Sequence, residues 1–125
     1  DKAYLQYCRG EIEQYVARLG LRMNEKTNIF PLRNGIDFLG FHTYLTESGK
    51  IIRKVRRSSK CNAQRKLKKQ RGLLGREKIS LSDIEQSYGS WRSHAAKGNC
   101  YHLIQNTDSL FQNLFKESEK QWPKV

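Results

Sequence analysis

The chain has 125 residues, 37% of them hydrophobic, and a formal net charge of +12 at neutral pH. This length predicts one domain, or a compact pair of subdomains that share a core. A secreted or membrane-spanning protein is not expected, because there is no signal peptide and no apolar run approaches the roughly 18 to 20 residues that span a bilayer.

The first predicted element is an amphipathic helix over residues 2–19. Its apolar residues follow one another at spacings of three, four, three, one and three, which puts them on one side of a helix. Gly20 can supply the left-handed conformation that closes a helix. Gly10 lies within the helix and suggests close packing on its side. The apolar stripe consists of Leu5, Cys8, Ile12, Tyr15, Val16 and Leu19.

The segment that follows is predicted to form β structure with tight turns. Residues 21–23 alternate apolar and polar side chains, and the apolar neighbours of Pro31 suit an edge strand. Asn34-Gly35 is a strong turn signal between two apolar runs. The alternation slips by one residue beside Gly40, which indicates a bulge or a sharp bend. Residues 47–50 then predict a second hairpin.

After residue 55 the apolar pattern becomes helical. Ser58 or Ser59 can cap a helix whose narrow apolar stripe leaves its other faces basic and free to meet a ligand. Residues 79–85 begin the next helix: either Ser80 or Ser82 can be its N-cap, and Ser82 with Glu85 makes a capping box. The apolar residues of the three predicted helices are Ala63, Leu67 and Leu74; Leu81, Ile84, Tyr88, Trp91 and Ala95; and Leu103, Ile104, Leu110, Phe111, Leu114 and Phe115.

The order of elements predicts an α+β fold, with one helix and short antiparallel strands followed by three helices. Asn99 can cap the last helix. We divide the chain into residues 1–54, which hold the first helix and the hairpins, residues 55–116, which are helical, and a polar tail over residues 117–125. The tail is expected to fray.

All of the excess charge lies in residues 50–78, which we call the basic segment. It holds thirteen Lys or Arg and one acid, Glu77, whereas the rest of the chain holds eleven basic and eleven acidic residues. A nucleic acid is the expected partner, because neutralising phosphates releases condensed counterions. A membrane surface is disfavoured, since the segment lacks the Leu, Trp and Phe face of a membrane-surface helix. A merely solvated basic face is the remaining alternative.

The sequence predicts neither a metal site nor a complete catalytic site. The cysteines are odd in number and never form a C-x-x-C pair, which argues against zinc and disulfides and favours reduced thiols in the cytoplasm. The histidines lack metal-ligand spacing, so we expect them to lie on the surface or pack. No phosphate-binding loop or nucleophile elbow is present. The residues concerned are Cys8, Cys61, Cys100, His42, His94 and His102.

Three stretches resemble the closing motifs of a reverse transcriptase, in the same order and at similar spacing. Residues 19–27, LGLRMNEKT, resemble the lysine-bearing motif D loop of the palm. Residues 34–41, NGIDFLGF, resemble the primer-grip hairpin. Residues 75–103 contain KISLSDIEQSYGSWRSHAAKGNCYHL, which resembles the thumb of bacterial group II intron-like enzymes and of diversity-generating retroelement enzymes. The resemblance covers residues 1–115, although Arg92-Ser93-His94 stands where that family often has Gly-His.

The resemblance implies that this chain is a piece of a longer RNA-directed DNA polymerase. Residues 1–54 would be the end of the palm and residues 55–116 the thumb, which work with the missing fingers and palm. The parent would use Mg²⁺ held by aspartates of a Y-x-D-D strand and of an earlier strand. None of these lies in this chain, so the piece alone would be inactive. It would bind an RNA–DNA hybrid or structured RNA.

The resemblance also assigns roles to individual residues. Lys26 matches the motif D lysine, proposed to protonate the departing pyrophosphate; the alternative is a surface lysine. Phe38, Leu39, Gly40 and Phe41 match the primer grip, with Phe38 and Leu39 also expected in the core and Gly40 expected to admit the primer backbone. The residues expected to contact the duplex are Arg53, Lys54, Arg56, Arg57, Lys60, Arg65, Lys66, Lys68, Lys69 and Arg71.

Two interpretations stay open at this point. Tyr88, Trp91 and Tyr101 could stack on bases, but their helical spacing favours a place in the thumb core. The whole chain could instead be a self-contained RNA- or DNA-binding module, since the basic segment alone would explain such binding.

Overall fold

The computed structural model describes residues 1–123 and confirms the predicted α+β class. In that range the chain forms four α-helices and a three-stranded antiparallel sheet of order β1-β2-β3. None of these helices is both long and apolar enough to cross a membrane. The elements are α1 (Lys2–Arg18), a 3-10 turn (Leu32–Asn34), β1 (Ile36–Phe38), β2 (Phe41–Leu45), β3 (Ile51–Val55), α2 (Arg57–Leu74), α3 (Leu81–Ala95) and α4 (Tyr101–Leu114).

The chain divides into two compact units, Asp1–Asn34 and Gly35–Val125. The sheet therefore belongs to the same unit as α2, α3 and α4. The sequence-based division at residues 54 and 55 had grouped the strands with the first helix.

The first unit consists of α1 and a segment of turns. Asp1 caps the helix by accepting a hydrogen bond from the Ala3 amide at 2.9 Å, and Gly20 follows the helix with a φ of +73°. No residue of α1 is buried in the described structure, so its apolar stripe does not face a core there. The close packing expected beside Gly10 is absent from residues 1–123, since nothing lies within 4 Å of the position a Cβ would occupy.

The strands predicted between residues 20 and 32 do not form. Asparagine side chains bond to nearby backbone instead: Asn24 Oδ1 accepts from the Lys26 amide and Asn28 Oδ1 from the Ile29 amide, both at 2.8 Å. Such local bonds compete with a strand ladder, and the unit offers no neighbouring strand as a partner. The apolar alternation alone was therefore a misleading signal.

The sheet is built from two successive hairpins. Phe41 pairs with Phe38 on one side and with Val55 on the other. The turn between β2 and β3 is the predicted second hairpin, closed by a hydrogen bond from the Thr46 amide to the Lys50 carbonyl at 2.9 Å. The first reversal is at Leu39-Gly40, not at Asn34-Gly35, and it accounts for the slip in alternation without a bulge.

The second unit contains two apolar clusters that share Trp91. One cluster joins the sheet to the helices through Phe41, Val55, Ala95, Cys100 and Ile104. The other joins α2, α3 and α4 through Leu67, Ile84, Tyr88, Phe111 and Phe115. The apolar stripes predicted for α2, α3 and α4 thus supply most of the core.

The helix caps agree in part with those predicted. Ser80, one of the two serines predicted as candidates, caps α3, but its capping box is formed with Asp83, and the predicted box of Ser82 and Glu85 does not form. Arg56 occupies the cap position of α2 without a side-chain bond, so neither Ser58 nor Ser59 caps it. The cap position of α2 lies two residues before Ser58, a shift of less than one helical turn.

Asn99 pairs with the sheet instead of capping α4. Its Oδ1 accepts from the Arg53 amide at 2.9 Å, and its own amide donates to the Arg53 carbonyl at 2.6 Å. Gly98 makes this contact possible, because a Cβ there would lie 2.8 Å from the Arg53 carbonyl oxygen and from the Phe41 ring. The α3–α4 loop therefore fixes β3 to the helices.

The C-terminal tail packs on the core as far as it is described. Trp122 makes edge-on contacts with Tyr88 and Phe111, with ring centroids 5.1 and 5.6 Å apart. The expected fraying does not hold for these residues, because one tryptophan contributes enough apolar surface to hold a polar tail. Lys124 and Val125 lie outside the described residues.

Candidate nucleic-acid interface

The basic segment presents its charges to solvent. All ten residues predicted to contact a duplex are exposed, while α2 buries only Leu67 and Gln70. Arg65 and Lys69 lie on the side of α2 opposite to Leu67, and Lys66 and Lys68 flank it on either side. The helix is therefore attached along one narrow line and is cationic over the rest of its circumference.

Among the ten basic residues predicted to contact a duplex, Arg71 is paired with an acidic side chain. Its Nη1 donates to Glu117 Oε1 at 2.6 Å, and the other nine make no ion pair within residues 1–123. The pKa of the Glu117 carboxyl is lowered by a hydrogen bond from its own backbone amide and by the Arg71 guanidinium. Arg71 is consequently the least available of the ten for a phosphate.

The first hairpin ends in an exposed apolar tip, residues 38–40. Phe38 is 67% exposed and Leu39 is 73% exposed. The prediction that both would pack in the core is wrong. In a two-residue turn after a short strand, these side chains extend beyond the sheet, and Phe41 alone turns into the core at 5% exposure.

Gly40 is needed in this turn for two reasons. Its φ is +85°, and a Cβ there would lie 2.9 Å from His94 Nε2. His94 stacks on Phe41 with ring centroids 4.5 Å apart, which confirms a packing role for this histidine. The close approach at Gly40 is thus made by a side chain of α3, where the sequence had suggested a primer backbone.

A cleft of about 480 Å³ opens beside β3 at the start of α4. Lys54, Lys60 and His102 line it, and Cys100 at the cap position of α4 makes no side-chain capping bond. The amide groups of an uncapped first turn attract anions. The cleft therefore combines two lysines with the N-terminus of α4, whose partial positive charge attracts a phosphate.

The aromatic residues divide between core and surface. Tyr88 is 2% exposed and packs in the core as predicted, and Trp91 joins both clusters. Tyr101 departs from the prediction because it is 48% exposed, with its hydroxyl accepting from Gln105 Nε2 at 2.8 Å. It stands at the start of α4, where the first helical turn faces the cleft.

Lys26 belongs to the Asp1–Asn34 unit. It is exposed and lies in the Asn24 turn, so the structure gives it neither a buried site nor an acidic partner within residues 1–123. A proton-donating role rests on the sequence resemblance alone.

The described residues do not fit a divalent metal site. No three His, Cys, Asp or Glu side chains between residues 1 and 123 come together in a way that could hold an ion. The Mg²⁺ implied for the parent polymerase has no ligand set in this range.

A buried ion pair between α3 and α4 escaped the sequence analysis. Arg92 is 7% exposed, and it donates from Nε to Asp108 Oδ1 at 2.9 Å and from Nη2 to Oδ2 at 3.0 Å. Tyr88 donates its hydroxyl to Asp108 at 2.6 Å, and Arg92 also donates to the Pro123 carbonyl. Burial, followed by the bond to Asp108, raises the pKa of Tyr88. Arg92 and Asp108 are 16 residues apart, so no short-range spacing in the sequence indicates that they pair.

Comparisons with protein-family models, with curated proteins and with solved structures found no significant match to this chain.

Proposed function

We propose that the chain is the palm end and thumb of an RNA-directed DNA polymerase, and that it grips a template–primer duplex. The observation that supports this best is that the exposed hairpin tip and the exposed basic residues of α2 belong to one compact unit. The same compact unit would then carry both an apolar contact and a cationic contact for one duplex.

The two surfaces suit different parts of a nucleic acid. The lysines and arginines of α2 would neutralise phosphates without reading sequence, as an enzyme that moves along any template requires. Phe38 and Leu39 carry no charge and would contact sugars and bases near the primer end. Lys26 would supply its proton only in the complete polymerase, in which other segments hold the metal.

A self-contained RNA- or DNA-binding module is the second candidate. Both apolar clusters lie inside the Gly35–Val125 unit, which therefore has a core of its own. A module of this kind would need neither the palm contacts nor the polymerase chemistry.

A fluorescence titration against three ligands tests the first proposal. The ligands are an RNA–DNA hybrid, duplex DNA and single-stranded RNA, each measured at two salt concentrations. We expect salt-sensitive binding that favours the hybrid, because a thumb recognises A-form shape and backbone. Equal binding to all three would favour the module, and no binding at all would contradict both candidates.

The gene context separates the two candidates independently. A reading frame that continues upstream of Asp1 into a Y-x-D-D sequence supports the polymerase. A start codon immediately before Asp1 would contradict it and leave the module.

A further inference from the structure

A small cavity of about 140 Å³ lies between α2 and α3. It is distinct from the exposed cationic face of α2, although the two share Lys66, which lines the cavity and is itself exposed. The lining residues are Asn62, Ala63, Lys66, Leu67 and Gln70 of α2, with Ser87, Tyr88 and Trp91 of α3.

Gln70 is the unusual member of this lining. It is 5% exposed, and its Oε1 has no hydrogen-bond partner among the described residues. Buried polar atoms nearly always have a partner, so an orphaned acceptor beside a cavity indicates a donor supplied from outside. The polar atoms of the two aromatic lining residues are already engaged, since the Tyr88 hydroxyl bonds Asp108 and Trp91 Nε1 bonds Ser59 Oγ at 3.3 Å.

The size and walls of the cavity limit what can enter. A cavity of about 150 Å³ holds one benzene ring, so this one suits a single six-membered ring better than a fused pair. Tyr88 and Trp91 supply aromatic walls. A pyrimidine carries a donor on its pairing edge, and that edge is what proteins read when a base leaves the stack. A phosphate attached to it would meet the exposed Lys66.

We propose that this cavity binds one unpaired pyrimidine of a bound strand, with Gln70 accepting a hydrogen bond from the base and Lys66 pairing with its phosphate. The inference rests on the proposed nucleic-acid function. It adds a base-contacting site to a surface whose other contacts go to the backbone.

An NMR titration of the full chain, labelled with ¹⁵N, tests the pocket directly. The probes are cytidine and uridine monophosphates, adenosine monophosphate and ribose 5-phosphate. We expect the two pyrimidine nucleotides to shift the Trp91 indole and Gln70 side-chain amide signals saturably. The purine nucleotide and the sugar phosphate should not shift them. Equal shifts from ribose 5-phosphate, or from the purine, would overturn the proposal.

Three variants define the residues involved. Gln70→Leu should weaken pyrimidine binding about tenfold, and Ser87→Leu should abolish it by filling the cavity. Gln86→Leu changes an exposed glutamine of α3 and should leave binding unchanged. Thermal unfolding of each variant checks that it folds. Unchanged binding in Gln70→Leu would overturn the role of this residue.

The outcomes for the pocket and for the proposed function are separable. If the chain binds the hybrid in a salt-sensitive way but no pocket signal responds to pyrimidines, the pocket fails and the duplex grip stands. If pyrimidines bind but the hybrid does not, the pocket stands as a nucleotide site and the duplex grip fails. If neither binds, both fail.

Discussion

Leu39 adopts a left-handed backbone conformation, which is unfavourable for the stability of the folded chain. Its φ is +48° and Gly40 follows at +85°, so both residues of the turn are left-handed. Turns of this kind favour Asn-Gly, and a left-handed leucine costs about 1–2 kcal/mol. The side chain regains nothing by burial, since it is exposed. A strained and exposed leucine fits a residue that contacts a partner.

Leu39→Asn should stabilise the fold and at the same time weaken binding of the hybrid. We expect the free energy of unfolding to rise by about 0.5–1 kcal/mol, because asparagine tolerates this backbone conformation. Binding of the hybrid should weaken by about 1 kcal/mol, since burying a leucine fully contributes about 1.5–3 kcal/mol. Urea unfolding and fluorescence titration measure the two quantities.

Leu45→Asn is the matched control, because Leu45 is an exposed leucine in the same sheet but away from the tip. It should leave hybrid binding unchanged. Tighter or equal binding by Leu39→Asn would contradict a contact at the tip.

Gly40→Ala should destabilise the chain more than Gly49→Ala. Both glycines have positive φ, but Gly40 has His94 against it, whereas no atom of residues 1–123 lies within 4 Å of the Cβ position at Gly49. The strain of the turn is common to both and costs about 1–2 kcal/mol. Urea unfolding should show an additional loss at Gly40 that disappears in a His94→Ala background. Equal losses in the original background would mean that His94 moves aside freely.

At the scale of elements, the sequence predicted the features that depend on local apolar spacing and turn residues. It missed the features that depend on contacts between elements distant in the chain. The four helices and the second hairpin follow from apolar spacing and turn residues. The strands near Leu21 and Pro31 do not form, because a strand also needs a neighbour. Asn99 could have capped α4 by every local rule, yet its side chain bonds to Arg53 once packing brings β3 close. Sequence spacing does not contain that proximity.

The buried pair of Arg92 and Asp108 joins α3 to α4, and removing one partner should be costly. Asp108→Ala should lower the free energy of unfolding by about 3–5 kcal/mol, because it leaves a guanidinium buried without its counter-charge. The double variant Arg92→Met/Asp108→Leu should lose much less, since it removes both charges and fills the space with apolar groups. Urea unfolding measures each loss.

Glu117→Ala is the comparison for an exposed ion pair. It breaks the bond to Arg71 on the surface and should hardly change stability. If Asp108→Ala behaved in the same way, the Arg92 pair would not hold the two helices together.

At the scale of the whole molecule, the charge distribution was the most reliable signal in the sequence. Lysine and arginine are almost never fully buried unless paired, so a dense run of them predicts an exposed cationic surface, and all ten candidates are exposed. The same reasoning does not predict the burial of Gln70, because that burial depends on how α2 packs against α3. The exposed cationic surface could be predicted, whereas the cavity beside it required the packed helices.

The measurement that tests the central claim most directly is the salt dependence of hybrid binding after Lys66, Lys68 and Lys69 are changed to alanine. Each lost phosphate contact should reduce the slope of log K against log salt by about 0.7–0.9, so the triple variant should lose roughly 2–3 in slope. The matched control changes Lys2, Lys97 and Lys116, which are exposed lysines outside the basic segment, and lowers the net charge equally.

The account predicts a flatter slope and weaker binding for the first variant only. An unchanged slope in the first variant, or an equal change in both, would contradict a duplex grip by α2.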